Sequence, residues 1–170
     1  MGNTASPYTI IRVTPTLSTD AYAQGDVLFT ATAIPNAVLG NGGCSVLTNA
    51  YMIDQSDQSS DIDFVFSEGN TALGTINATA NISDGDMEAL GICGLTSVDA
   101  DQAGTSTHID NSRIHMMLPA SGVSESSHNL TLLQAAAGST TVYVQGILTS
   151  STTPTFAADD IDLIFHIQYK

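Results

Sequence analysis

A chain of 170 residues that is 42% hydrophobic and only 12% charged has the apolar mass for one packed domain, and too little charge for a disordered one. Seventeen acidic residues stand against three basic ones, Arg12, Arg113 and Lys170, for a net charge of −14. Three cations cannot assemble a basic patch, which argues against direct nucleic-acid binding and disfavours anionic membranes.

From the N-terminus, residues 1–7 read as a mobile arm with neither a basic nor an apolar leader region, so no export signal is expected. The remainder, 8–170, reads as a single domain whose dominant pattern is period-2 alternation, the signature of strands. Tyr8–Val13 is the first candidate, followed by Asp26–Ile34, where Val27, Phe29, Ala31 and Ala33 share a face. The glycines at Gly40, Gly42 and Gly43 mark a turn before Ser45–Asp54. They have no lysine and do not open a helix, so they are not a phosphate cradle. Ile62, Phe64 and Phe66 then alternate with Asp61, Asp63 and Val65, and Ser67-Glu68-Gly69-Asn70 forms the next turn.

One short helix is expected over Asp84–Leu90, with Ser83 as its cap, acids in the first turn and Gly91 after its end. Strand Ile92–Val98, a polar loop at Asp99–Thr107 and strand Arg113–Leu118 follow. A turn at Ser121-Gly122 leads to Asn129–Gln134, and one at Ala137-Gly138-Ser139 to Thr140–Leu148. After a Ser/Thr-rich loop at Thr149–Pro154 comes the clearest strand, Ile161–Tyr169. There Ile161, Leu163, Phe165, Ile167 and Tyr169 alternate with Asp162, Ile164, His166, Gln168 and Lys170. About nine strands with such punctuation give an all-β fold, an antiparallel β-sandwich of jelly-roll type.

No catalytic, cofactor-binding or metal-binding residue is predicted. The carboxylates cluster at Asp54/Asp57, Asp61/Asp63, Asp84/Asp86/Glu88, Asp99/Asp101 and Asp159/Asp160/Asp162, and none matches the fixed spacing of a calcium loop. They read as solvated acids, with weak calcium binding at Asp99–Asp101 or Asp159–Asp162 as the alternative. The histidines His108, His115, His128 and His166 are scattered, and His115 and His166 fall on the polar faces of their strands, toward solvent or a subunit contact. Cys44 and Cys93 read as two buried thiols acting as small hydrophobes, with a disulfide between them left open. Sequons at Asn77, Asn81 and Asn129 read as chance occurrences in an Asn/Thr-rich chain. The outer face of the last strand, with Ile164, His166 and Gln168, is uncharged, as the core of a subunit interface tends to be.

Several segments taken together resemble a family of head decoration, or cement, proteins of tailed bacteriophages. They are Asp20-Ala21-Tyr22-Ala23-Gln24-Gly25-Asp26-Val27-Leu28-Phe29, Ile34-Pro35-Asn36-Ala37, the strand ending Met52-Ile53-Asp54-Gln55, and Ile62-Asp63-Phe64-Val65-Phe66-Ser67. Ile82-Ser83-Asp84-Gly85-Asp86, Val142-Tyr143-Val144-Gln145-Gly146-Ile147, Thr153-Pro154-Thr155-Phe156 and Asp160–Phe165 continue the likeness. The resemblance implies a β-sandwich on the capsid exterior of a virion, made in the host cytoplasm. Its partner would be the major capsid protein and its own state a homo-oligomer, a trimer; no enzyme activity, cofactor, nucleic acid or membrane travels with it. A tail-tip, fibre or carbohydrate-binding sandwich module of a virion is the alternative. The absence of Trp weighs against sugar recognition.

Overall fold

The computed structural model describes residues 7–101, 104–119 and 131–170. Residues 1–6 of the expected 1–7 arm, the Ser121-Gly122 turn, His128 and the Asn129 sequon lie outside the described residues.

Eleven strands and one helix follow one another: β1 (Tyr8–Val13), β2 (Val27–Ile34), β3 (Cys44–Asp54), β4 (Ile62–Ser67), α1 (Asp84–Leu90), β5 (Ile92–Val98), β6 (Ser106–Ile109), β7 (Ser112–Met116), β8 (Leu118–Pro119), β9 (Thr131–Gln134), β10 (Val142–Leu148) and β11 (Ile161–Tyr169). All pairings between them are antiparallel. Sheet I runs β1-β11-β3-β7-β6, with β9 pairing β3 as well; sheet II runs β2-β10-β4-β5-β8. With the short strands β6, β8 and β9 set aside, the two sheets take the strand order of a jelly roll, two Greek keys folded against each other.

Alternation places the core between the layers. Phe165, Leu163 and Ile167 of β11 and Ala50 and Met52 of β3 face Phe64, Phe66, Val142 and Val144 of sheet II, all fully or almost fully buried. Phe66 meets Phe165 edge-on at 5.7 Å between ring centres, a contact that joins the two sheets. Phe29 lies over Gly146 of β10 so closely that a Cβ there would sit 2.5 Å from the ring. Gly146→Ala should therefore push the ring aside and cost about 1–3 kcal/mol, read as a lower midpoint in urea unfolding with an unchanged slope.

Part of the outer side of sheet II is buried too. The connection from Gly69 to Leu90 folds back over it, so that Leu73 and Leu90, with Ala80 and Ile82 beside them, pack on Val27, Val65 and Ile147. Gln145, fully buried on the outer side of β10, fixes this excursion: its Oε1 accepts the Leu73 N–H at 2.9 Å and its Nε2 donates to the Thr71 carbonyl at 2.8 Å. Gln145→Ala leaves both backbone groups unpaired and should cost about 2–3 kcal/mol in chemical denaturation. The helix is as expected: the Ser83 hydroxyl accepts from the Asp86 N–H at 3.2 Å, and Gly91 ends it in the left-handed conformation at φ 60°.

Two expectations need correction. The loop expected at Asp99–Thr107 already enters a strand at Ser106, because β6 and β7 form a hairpin about Asp110-Asn111, with Asp110 left-handed at φ 55°. The single strand expected over Arg113–Leu118 is two: β7 belongs to sheet I and β8 to sheet II, and Met117 between them donates its N–H to the Ala50 carbonyl at 2.9 Å. No helix among the described residues is long and apolar enough to cross a membrane.

Candidate functional site

The predicted carboxylate clusters come first, because acid–base or cation chemistry would need them. Most are engaged with the loops at one end of the sandwich. Asp54, almost completely buried, accepts the Ser56 N–H at 2.9 Å and the Gln58 N–H at 2.7 Å. The turn it organises holds Asp57 and Ser59 in the left-handed region, at φ 53° and 50°. Burial pushes the Asp54 carboxyl up from its ordinary value, while the two N–H bonds pull it back. Asp61 accepts the Ala100 N–H at 2.9 Å, and Asp99 accepts that of Asp101 at 3.1 Å. Asp160 accepts the Ala157 N–H at 2.6 Å and the Ser56 hydroxyl. Asp162 accepts from Thr14 and from Gln55. Asp86 is part of the helix cap, while Asp84 and Glu88 are exposed beside it. Asp54, Asp61, Asp86, Asp99, Asp160 and Asp162 thus act as acceptors for backbone and side-chain donors, and among the described residues no three His, Cys, Asp or Glu side chains converge as a metal site would require.

Asp57 bridges the Arg113 guanidinium, Nε at 2.8 Å, and the His108 imidazole, Nδ1 at 3.1 Å. Arg113 also reaches the Ala100 carbonyl at 3.4 Å, tying β7 to the loop after β5.

His115 departs from expectation. It was placed on a polar, outward face; it is completely buried. The register explains the correction: His115 is the cross-strand partner of Met52, a core residue, so Arg113 and His115 point inward and the apolar Ile114 and Met116 point outward. His115 Nδ1 lies 2.7 Å from the Ser106 hydroxyl, and its Nε2 has no hydrogen-bond partner among the described residues. The pair has the composition of a nucleophile and a base. However, burial, with Arg113 beside it, pushes the imidazole down to about 4, too weak a base to activate a hydroxyl efficiently. The thiols are also corrected. Cys44 and Cys93 are free and only half-buried, because they lie near the sheet margins where β9 meets β3 and β5. Asn77 is used internally: turned to suit its neighbours, its amide donates to the Ala21 carbonyl and to Asp26. Asn81 is exposed.

The outer face of sheet I is the second candidate. Its side chains stand in cross-strand rows. One row holds Tyr8, Gln168, Val46 and Leu132, and the next Ile10, His166 and Asn49. A third holds Arg12, Ile164, Tyr51 and Met116, and a fourth Asp162, Ile53, Ile114 and Thr107. Tyr51 and His166 meet edge-on at 5.5 Å. Tyr8 is 64% exposed, Ile10 51% and Leu132 49%. Of the chain's acidic side chains only Asp162 stands in these rows, and of its basic ones only Arg12. In contrast to sheet II, no segment of the described chain folds over this face. Sequence reading found its Ile164, His166 and Gln168 and missed Ile114 and Met116, since Arg and His alternating with them suggested the opposite orientation. No protein-family model matches this chain, and no curated protein matches it.

Proposed function

We propose that this chain is a viral structural protein, a decoration or cement protein that docks on the outside of a capsid lattice through the outer face of sheet I. The observation that carries the reading is the inverted polarity of β7. The strand turns a half-buried Arg113 and a fully buried His115 inward and presents Ile114 and Met116 outward, next to Tyr51, Ile53 and Ile164. Enclosing an imidazole with one nitrogen unpaired is costly, and the apolar face that this orientation completes is of use only when something covers it. Depletion of charge in that face, within a chain of net charge −14, matches the makeup of an interface core with a charged surround.

Two further features support the reading. Jelly rolls recur among capsid proteins, as they do among lectins. The remaining acidic surface keeps free copies apart, and repetition on a lattice lets modest contacts add by avidity. The major capsid protein is the partner, trimers about a threefold axis are the assembly, the virion exterior is the location, and the role is mechanical rather than enzymatic. Purified chain added to undecorated shells of the phage that encodes it should bind saturably, in a fixed ratio of copies to shell subunits, and raise the melting temperature of the shell. Shells that neither bind it nor gain stability would sink the reading. Saturable binding on a glycan array would move the face to the fibre or carbohydrate-binding alternative.

A further inference from the structure

We propose that the β6–β7 hairpin is an acid-released flap, latched at neutral pH by the uncharged His115 imidazole enclosed beneath it. The hairpin forms the free margin of sheet I: β7 pairs with β3 through Arg113–Met116, and β6 pairs with β7 alone. His115 is the enclosed side chain of this margin, bonded through Nδ1 to Ser106 of β6 and standing opposite Met52 of β3.

A neutral imidazole satisfies this position with one hydrogen bond. A protonated one does not. Both nitrogens then carry hydrogens, and Nε2–H points where no acceptor is present among the described residues. The charge would be buried beside Arg113, two residues along the same strand and on the same side. The groups facing His115 are few. From β6 come the Ser106 hydroxyl and, further out, His108; from the loop after β3 comes Asp57, which is occupied by Arg113 and His108; from β3 comes Asp54, opposite Arg113. Asp57 favours the charged imidazole, but less than burial and Arg113 oppose it. Lifting the hairpin off the sandwich gives the imidazole water and restores an ordinary titration near 6.5.

The direction follows from linkage. A histidine whose enclosed form titrates near 4 and whose open form titrates near 6.5 favours closure fully above about pH 6.5, and that preference is lost as the pH falls toward 4. Asp54 acts in the opposite sense. Burial raises its carboxyl, so it takes up a proton more readily in the closed protein and firms the structure as the pH falls. The test must therefore isolate His115.

Hydrogen exchange of the intact protein, corrected for the intrinsic pH dependence of exchange, should show the β6 and β7 amides opening at least tenfold more often at pH 5 than at pH 7. The amides of β10 and β11 should not follow. His115→Asn keeps a polar group toward Ser106 without a titration, and should abolish the pH dependence of the hairpin. Should that variant fail to fold, the wild-type protein still decides the matter: the NMR titration of the His115 ring should share its midpoint with hairpin opening. Three results overturn the proposal: opening that persists unchanged in His115→Asn, a His115 ring that titrates near 6.5 while the hairpin stays closed, or acid opening spread evenly over both sheets.

Discussion

Phe165→Ala should remove about 3–5 kcal/mol, a large part of the 5–15 kcal/mol that holds an ordinary domain together. The side chain is fully buried near the middle of β11, with its ring edge-on to Phe66 of the opposite sheet. Its cross-strand partners are Ile11 and Ala50, the second too small to swing into the space left behind. Because β11 is the second strand of sheet I, flanked by β1 and β3, the cavity opens where the two layers are joined rather than at a margin that could collapse. The variant should show a markedly lower midpoint in urea or on heating. A loss under 1 kcal/mol would mean that the two sheets are not held together through this contact.

The second large effect separates docking from folding. Ile164→Glu combined with Met116→Glu puts two carboxylates into one row of the outer face of sheet I. Both side chains are only half-buried, so the fold should lose little, about 1 kcal/mol or less. Docking should weaken by more than 100-fold: the carboxylate at 164 faces Arg12, but the one at 116 stands opposite Tyr51 with no cation in its row beside it, and an unpaired charge enclosed in an interface costs about 3 kcal/mol or more. Leu95→Glu is the control. Leu95 is 48% exposed on the outer side of sheet II, outside the proposed interface, and its replacement should leave shell binding unchanged. Shell binding that survives the double variant, measured by co-sedimentation with undecorated particles, would place the docking surface elsewhere.

The strands were readable because period 2 needs no partner to be seen. β11 and β1 match their expected bounds, and the helix was legible from Ser83 and Gly91 alone. β6 was less visible. Its four residues alternate weakly, and the signal that could have found it is the Asp110-Asn111 pair, a two-residue hairpin turn with one residue at positive φ. Its partner β7 was found as a strand but assigned the wrong faces. Alternation tells which side chains go together, not which side is inside; that choice was made by the pairing of His115 with Met52. The same ambiguity hid the role of Gln145, a polar residue in an apolar strand. It points outward, yet it is buried, because the connection between β4 and β5 returns to cover it.

Local chemistry therefore determined most of the elements, though not β6 or the break between β7 and β8, together with the acidic, cation-poor composition and the turns that need glycine or asparagine. Which strands became neighbours, which face of each sheet was closed, and where a histidine ended without an acceptor were decided by long-range packing. The physical reason is one of range. A residue's backbone preference and its alternation with neighbours are set within a few positions along the chain. Burial depends on what arrives from residues far away in sequence, as the Gly69–Leu90 excursion arrives over part of sheet II while no described segment covers the outer face of sheet I.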